Sequence, residues 1–338
     1  MDSLSQLALG AAVGQAVLGH KVGRKAALWG AVLGTLPDLD VLVSYDNAVE
    51  DFTYHRSASH SLFVMAAASP PMAWLIGKIH AAERQPWRGW LILVFLALAT
   101  HPLLDCFTAY GTQILWPLDL PPTMWATMFI IDPLYTLPLL VGLLLVFWKG
   151  GQRRLARRAN AAGLLLSCTY LAWSAIAGLE VRQVATQTLV YQRLSHQHLM
   201  ATPAPFNTLL WRVVAVDHEA YYEGFYSLLD PEPKIEFQRF ANEPELLTGL
   251  EDHWPVTRLQ WFTQGLYAVR RAGNEIALTD LRMGQEPAYI FQFVVGEMVE
   301  GQIVPRPGLQ QREEFDPRAL GWVWQRIWRP QPPLTRLQ

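Results

Sequence analysis

The sequence has few charged residues and few cysteines, and both shortages restrict the class of protein it can form. Only 17% of the 338 residues are charged, whereas 51% are apolar, a balance that is unusual for a soluble protein. The formal net charge of −2 argues against the basic surface that nucleic-acid binding requires. The two cysteines, Cys106 and Cys168, are too few for a disulfide framework. We therefore expect no nucleic-acid partner.

Long apolar segments are confined to the first half of the chain. A membrane-spanning helix needs about 20 mostly apolar residues. Four segments approach or reach that length: 60–79, 90–104, 132–148 and 160–179. Two further segments, 4–18 and 26–43, precede them as short spans or as a helical hairpin that crosses only in part, and the second is interrupted by Pro37, Asp38 and Asp40. The pattern predicts an α-helical multi-pass membrane domain of about six helices over residues 1–180.

The second half of the chain has the pattern of a folded domain outside the membrane. A polar helical stretch over 181–200 is expected to connect it to the membrane domain. Seven short segments then read as strands: 211–216, 221–228, 235–240, 258–263, 266–271, 275–279 and 289–295. Gly273-Asn274 is typical of a hairpin turn, and 319–328 predicts a short amphipathic helix. We expect a smaller extramembrane β-rich α+β domain over 201–338.

Basic residues in short loops predict the orientation of the spans. They fall between the first and second, third and fourth, and fifth and sixth segments: Lys21, Arg24, Lys25, Lys78, Arg84, Arg88, Lys149, Arg153, Arg154, Arg157 and Arg158. These three loops are therefore expected on the cytoplasmic side. The alternate loops, and everything after residue 179, are expected on the outer side.

This orientation places most of the distinctive histidines and aspartates on the same outer face. They are Asp38, Asp40, His55, His60, His101, Asp105 and Asp132. Ionisable groups close to the hydrocarbon region are costly and usually functional. Their coincidence on one face predicts a single shared site.

Two of the motifs have spacings that suit metal ligands. His101 and Asp105 are four residues apart in a predicted helix and so share one face. Asp38 and Asp40 follow Pro37 and form a carboxylate pair that suits a hard cation. Each motif alone also fits an ordinary structure, namely a helix end with a capping aspartate and a polar turn.

The loop before the segment at 60–79 carries two histidines and an arginine. His55 and His60 flank Arg56, which we interpret as an anion-binding group. Ser59 is expected to cap a helix that begins at His60. An interfacial loop in contact with water or headgroups is the alternative. Asp132 precedes Pro133 and is either a helix-terminal acid or a further ligand.

Nitrogen and oxygen ligands without thiolate indicate a divalent metal, with zinc or manganese expected. The candidate ligands are Asp38, Asp40, His55, His60, His101 and Asp105. A metal of this kind activates water, so hydrolysis is the natural class of reaction. An aspartate that is not fully engaged as a ligand, Asp38, Asp40 or Asp105, would serve as general base.

Four stretches resemble a known family. They read MDSLSQLALGAAVGQAVLG, GAVLGTLPDLD, HRSASHSL and HPLLDCFTAYGTQILWP, and together they resemble the bacterial membrane-bound metal-dependent hydrolases, the YdjM-like, LexA-regulated inner-membrane group. The resemblance covers roughly residues 1–150 and implies an inner-membrane protein with a metal-dependent hydrolase site at the candidate ligands. Many relatives carry a histidine where this chain has Gln6, which leaves one ligand fewer or Gln6 as a weak oxygen ligand.

Two functions follow as hypotheses. The first is a hydrolase at the periplasmic face of the inner membrane, with Asp38, Asp105 and Arg56 in catalysis and a lipid or other membrane-associated ester or phosphoester as substrate. The alternative is a non-enzymatic membrane protein with a structural metal or polar network and a partner-binding outer domain. A transporter is disfavoured because transport sites usually lie near the membrane midplane. Membrane lipids are the expected partners, and no oligomeric state is indicated.

Overall fold

The computed structural model describes residues 1–83, 85–311 and 318–330. Arg84, and residues 312–317 and 331–338 of the predicted outer domain, lie outside the described residues. The chain divides into two compact units. The helical unit comprises residues 1–43, 56–125 and 130–174, and the β-rich unit comprises residues 44–55, 126–129 and the chain from residue 175 onward.

The described chain contains nine α-helices and ten strands. The helices are α1 (Ser3–Val22), α2 (Arg24–Thr35), α3 (Ala48–Tyr54), α4 (Leu62–Ile79), α5 (Trp87–Asp105), α6 (Pro133–Lys149), α7 (Arg154–Gln192), α8 (Trp254–Thr263) and α9 (Arg318–Trp328). The strands are β1 (His198–Pro203), β2 (Leu210–Val216), β3 (Ala220–Ser227), β4 (Gln238–Ala241), β5 (Tyr267–Ala272), β6 (Glu275–Asp280), β7 (Gly284–Gln285), β8 (Ala288–Tyr289), β9 (Gln292–Val299) and β10 (Gln302–Gln311). The prediction of a helical first half and a β-rich second half is confirmed.

Three of the described helices, α4, α5 and α7, are long and apolar enough to cross a membrane. Helix α6 is apolar but has only 17 residues. Large apolar side chains on these helices are exposed, for example Leu144 at 67% and Leu165 at 68%. Such surfaces are unfavourable in water and favourable in lipid. The composition of the helices thus supports the membrane assignment, whereas a count of six spans stays a prediction.

Helices α1 and α2 form a hairpin in which two backbones touch. A Cβ on Gly10 would lie 2.3 Å from the carbonyl oxygen of Gly30, and one on Gly14 would lie 2.3 Å from that of Ala26. Small residues permit this approach, as they do between helices in membranes. Capping fixes both ends of α1, since Asp2 accepts from the Leu4 and Ser5 amides and Gly23 terminates the helix with a φ of 66°.

The core of the helical unit lies where α1, α2, α4 and α5 meet. Its buried residues include Leu18, Leu33, Met65, Trp90 and Leu93. This packing holds the ends of α2 and α5 and the segment before α4 in fixed relation to one another. Those ends carry the polar side chains of the candidate site.

The β-rich unit is built on two antiparallel four-stranded sheets. Their strand orders are β1-β2-β3-β4 and β10-β9-β6-β5, and β7 and β8 form a separate pair. The predicted Gly273-Asn274 turn is confirmed: it joins β5 to β6, with Ala272 paired to Glu275 and Gly273 at a φ of 63°. The predicted helix at 319–328 is also confirmed, as α9.

One predicted strand is wrong. Residues 258–263 belong to α8, which buries Val256, Leu259 and Phe262. These apolar residues recur every third position, the spacing of a helix face rather than of a strand, and Pro255 occupies the first turn, where proline is favourable. The predicted strand at 235–240 is shifted, since β4 begins at Gln238.

Candidate metal centre

Four side chains from three separate segments converge within the helical unit. Each of Asp38, His60, His101 and Asp105 offers one ligand atom, and these atoms all lie within 4.8 Å of one another. Asp38 comes from a 3₁₀ helix, Pro37–Leu42, and His60 ends another, Ala58–His60. His101 and Asp105 lie one turn apart at the end of α5. Of the seven residues expected at one site, the structure brings these four together.

The local sequence explains how His60 is held. Ser61, rather than the predicted Ser59, caps α4, because its hydroxyl accepts from the Val64 amide at 3.4 Å. His60 therefore precedes the helix instead of opening it, and it is fully buried. Ser59 instead supports the imidazole, since its hydroxyl donates to Asp40 Oδ2 at 2.6 Å and lies 2.9 Å from His60 Nδ1.

Five of the six distances between the four ligand atoms are close to those in a tetrahedral metal site. Ligands held about 2.0–2.1 Å from such an ion lie about 3.3–3.4 Å from one another. His60 Nε2 and His101 Nε2 are 3.1 Å apart. Asp105 Oδ2 lies 3.3 Å from the first nitrogen and 3.5 Å from the second. Asp38 Oδ1 is 3.7 Å from His60 Nε2 and 3.2 Å from His101 Nε2.

The hydrogen bonds of the two imidazoles direct their lone pairs toward the cluster. His101 Nδ1 lies 2.6 Å from the carbonyl oxygen of Gly34, which can only accept, so this nitrogen carries the proton. The Ser59 hydroxyl proton goes to Asp40, so Ser59 accepts from His60 Nδ1. Both Nε2 atoms of the neutral rings are then acceptors. Two acceptors at 3.1 Å require a cation or a proton between them.

The carboxylate of Asp105 is divided between two environments. Its Oδ1 accepts from Gln6 Nε2 at 3.1 Å and from the amino group of Met1, and lies 3.4 Å from Arg56. Its Oδ2 is buried and has no hydrogen-bond donor within the described part of the chain. A buried carboxylate oxygen without a donor is costly. That oxygen faces the two histidines, which is where a metal ion would satisfy it.

Arg56 lies beside the cluster and is held on several sides. Its side chain donates to Thr108 Oγ1 at 3.3 Å and lies over the ring of Tyr110, 5.0 Å from the centroid. Its backbone amide donates to Asp40 Oδ2 at 3.0 Å. Its φ of 62° is in the left-handed region, which is unfavourable for a non-glycine residue. The contacts with Asp105 and Asp40 therefore hold a loop conformation that is locally strained.

Two predicted ligands occupy other positions. Asp40 lies at the opposite nitrogen of His60, 3.5 Å from Nδ1, and thus behind the ring rather than among the four ligand atoms. His55 directly follows α3 as its C-terminal cap and is grouped with the β-rich unit. It is outside the group of four residues found in the described chain, and its ligand role stays a prediction.

Asp132 caps α6. Its Oδ1 accepts from the Leu134 and Tyr135 amides, and its Oδ2 accepts from the Tyr170 hydroxyl at 2.8 Å. Of the two interpretations of Asp132, the structure supports the helix-terminal acid. Gln6, in contrast, belongs to the centre: it is buried and donates to Asp105 Oδ1 and to the His101 carbonyl oxygen.

Gly34, Thr108 and Tyr110 also belong to the site, although the sequence pattern did not predict them. Gly34 contributes only a backbone carbonyl, which no side-chain pattern can indicate. Thr108 and Tyr110 follow Asp105 closely, and the Asp-Cys-Phe-Thr-Ala-Tyr run was the available signal. Their contacts with Arg56 depend on a chain reversal after α5 that the pattern does not specify.

A helical unit with outward-facing apolar side chains and a buried histidine–aspartate cluster at its helix ends defines a membrane protein with a candidate metal centre. The family model of the YdjM inner membrane protein matches residues 1–181, more than half of the chain, and the chain belongs to this family. No match was found among curated proteins or among solved structures. The resemblance inferred from the sequence motifs is thereby confirmed.

Proposed function

We propose that the chain is a membrane-bound, metal-dependent hydrolase of the inner membrane. His60, His101 and Asp105 are the metal ligands in this proposal. The observation that supports it is the near-tetrahedral spacing of acceptor atoms, 3.1 Å between the two imidazole nitrogens and 3.3 and 3.5 Å from these to Asp105 Oδ2. Zinc or manganese suits two nitrogens and carboxylate oxygens. When bound, such an ion supplies Lewis acidity toward water and toward an ester or phosphoryl oxygen.

The role of Asp38 determines whether four protein ligands close the metal site or one coordination position stays open. The side chains of His60, His101 and Asp105 are completely buried, whereas that of Asp38 is 21% exposed. Structural zinc sites have four protein ligands, and catalytic sites have three with one open position. We propose that Asp38 borders the open position and accepts a proton from water as general base.

The remaining side chains position the ligands. Asp40 and Ser59 hold the proton on His60 Nδ1, and the Gly34 carbonyl does the same for His101. Arg56 and Gln6 turn Asp105 so that Oδ2 faces the histidines. In this proposal Arg56 orients Asp105, in addition to the binding of a substrate anion that was predicted from the sequence. A lipid or another membrane-associated ester or phosphoester is the proposed substrate, since the exposed surfaces of the helices are apolar.

The second candidate function is structural. If Asp38 is a fourth ligand, the set of four residues closes the coordination sphere. The metal would then tie the ends of α2 and α5 to the segment before α4, and the β-rich unit would bind a partner. A substitution at Asp38 separates this alternative from the hydrolase.

Metal analysis of the purified full-length protein tests the proposal. We expect about one equivalent of zinc or manganese in the unaltered protein, and its loss in His101→Ala. The exposed His20→Ala is the control and should keep the metal. His55→Ala tests the further ligand predicted from the sequence. Undiminished metal in His101→Ala would overturn the site.

Asp38→Asn distinguishes the two candidate functions. In the hydrolase, this variant keeps its metal but loses turnover of the responsive substrate in a panel of phosphoester and carboxylester lipids. In the structural protein, it loses metal and stability together, and the panel shows no turnover by the unaltered chain. The first pattern would contradict the structural role, and the second would contradict the enzyme.

We also propose a multi-pass arrangement with the site and the β-rich unit on the periplasmic side. The proposal is supported by the alternation of basic loops along the chain. Fusion of alkaline phosphatase to the C-terminus should give an active reporter, and fusion of a fluorescent protein that folds only in the cytoplasm should stay dark. The reverse pair of results would overturn this orientation.

A further inference from the structure

A cavity in the helical unit shares no residue with the metal centre. Its volume is about 330 Å³, and its lining combines three arginines, two amides and two alanines: Arg154, Arg157, Arg158, Gln15, Asn160, Ala16 and Ala161. Gln15 lies nine residues after Gln6 in α1, about 13.5 Å along the helix axis. The cavity is therefore toward the opposite end of α1 from the metal centre.

The three arginines concentrate positive charge where a helix tolerates it least. Arg154 is the first residue of α7, and Arg157 and Arg158 follow at the spacings that place side chains on one face. The first turn of a helix carries a partial positive charge of its own and favours anions. The three arginine side chains are exposed, and within the described chain none of these side chains has a hydrogen bond or an ion pair. An anionic ligand would place a counter-charge beside them.

Two buried amides in the same cavity point to a ligand with donor groups as well. Gln15 and Asn160 are each only 2% exposed. Gln15 Nε2 donates to the Gly151 carbonyl oxygen at 2.7 Å, and Asn160 Nδ2 donates to that of Ala12 at 2.9 Å. Because carbonyl oxygens only accept, these bonds fix which end of each amide is the nitrogen. Gln15 Oε1 and Asn160 Oδ1 are left buried without a donor in the described structure.

The cavity lies at the level where a lipid headgroup is expected. It adjoins the loop between α6 and α7, which is fastened to the α1–α2 turn by Gln152 Nε2 donating to the Lys21 carbonyl oxygen at 2.7 Å. At the end of α6, Trp148 is 68% exposed, and Lys149 lies 3.8 Å from its ring centroid. Exposed tryptophan beside basic residues is typical of the membrane–water interface.

We propose that this cavity binds the headgroup of an anionic phospholipid that carries hydroxyl groups, as phosphatidylglycerol does. The phosphate lies against the three arginines. The headgroup hydroxyls donate to Gln15 Oε1 and Asn160 Oδ1, which are buried, so the two amide side chains shift toward the cavity on binding. Basic pockets between membrane helices are suited to anionic headgroups. The amide oxygens add a requirement for hydrogen-bond donors that a phosphodiester group alone does not meet.

Lipid binding to the purified full-length protein, followed by native mass spectrometry, tests the proposal. The probes are phosphatidylglycerol, phosphatidylmethanol, phosphatidylcholine and inorganic phosphate. Phosphatidylmethanol has the same charge as phosphatidylglycerol but no headgroup hydroxyl, and we expect it to bind about threefold more weakly or worse. Phosphatidylcholine has no net charge and should bind more weakly still.

The variants Arg157→Gln and Arg158→Gln should each weaken phosphatidylglycerol binding about fivefold. Arg153→Gln is the matched control, because Arg153 lies in the same basic loop but does not line the cavity. This variant should bind phosphatidylglycerol as tightly as the unaltered protein. An equal loss in the control would show diffuse charge attraction and overturn the site. Equal affinity for the two anionic lipids would overturn the role of the amides, and binding of inorganic phosphate as tight as that of the lipid would overturn the lipid assignment.

Discussion

The Nε2 atoms of His60 and His101 lie 3.1 Å apart, with the opposite nitrogen of each ring engaged by Ser59 and by the Gly34 carbonyl. Neither ring can donate to the other unless it is protonated. A cation or a proton between the two nitrogens would satisfy both, and a metal ion there would also lie beside the buried Oδ2 of Asp105. This arrangement of acceptor atoms, more than the presence of histidines and aspartates alone, is what makes the cluster a candidate metal centre.

Asp40→Asn should weaken metal binding about 10–100-fold. Asp40 accepts the Ser59 proton, and asparagine keeps an acceptor oxygen but loses the negative charge. The bond from Ser59 is then weaker, so Ser59 holds the proton of His60 Nδ1 less firmly. Competition with a chelator, followed on the full-length protein, measures the affinity. Asp46→Asn is the control, since Asp46 is exposed and outside the cluster. Unchanged affinity in Asp40→Asn would contradict the orienting role.

Gln6→Ala should also weaken metal binding, by about tenfold. The change removes the donor to Asp105 Oδ1 and to the His101 carbonyl oxygen, so the ligand carboxylate is held less firmly. The same chelator competition applies, with Gln152→Ala as the matched glutamine control because its side chain donates to the Lys21 carbonyl oxygen in the far loop. An equal effect of both substitutions would indicate a general loss of packing instead.

Gly30→Ala should destabilise the helical unit by about 1–3 kcal/mol. The added Cβ would lie 2.1 Å from the Gly10 carbonyl oxygen, which is backbone and cannot swing aside. Gly77→Ala is the control, since its Cβ would meet only a Trp90 side-chain atom at 3.6 Å. Thermal unfolding of both variants in detergent measures the difference. A transition in Gly30→Ala as high as that of Gly77→Ala would contradict the close helix contact.

Glu223→Gln should destabilise the β-rich unit by about 3–5 kcal/mol. Glu223 accepts from Arg212 Nε at 2.6 Å, and Arg212 also donates to the Tyr289 hydroxyl at 2.8 Å, all of it buried. Burial raises the pKa of Tyr289 well above its ordinary value, with the nearby Glu223 adding to the shift, so the phenol stays neutral and cannot replace the lost carboxylate as counter-charge.

The control for that change is Glu297→Gln, which breaks the more exposed ion pair with Arg306. An exposed pair contributes at most about 1 kcal/mol, so this variant should unfold almost as the unaltered protein does. Unfolding by urea, followed by tryptophan fluorescence, compares the two. Similar midpoints for both variants would show that the buried network contributes little.

The outline of the fold was predictable because it depends on amino-acid composition and on the spacing of apolar residues along the chain. Long apolar segments predicted the helices, and short strand-like segments with the Gly273-Asn274 turn predicted the sheets. Errors arose where the spacing of apolar residues was assigned to a strand but fits a helix, as at 258–263, which are part of α8. The cap of α4 was misassigned by two residues, since Ser59 and Ser61 have equal capping propensity and only the chain path distinguishes them.

The sequence by itself determined which residue types were available for a metal centre and that they occur at helix ends. His101 and Asp105 were already placed together, because a separation of four residues is one turn of a helix. Only the tertiary structure decided that Asp38 and His60 join them, while Asp40 lies behind His60 and His55 caps α3. The physical reason is that these positions depend on how α2, α4 and α5 pack. A glycine-lined contact between α1 and α2 brings Gly34 and Gln6 to α5. No local sequence pattern encodes such distances between segments.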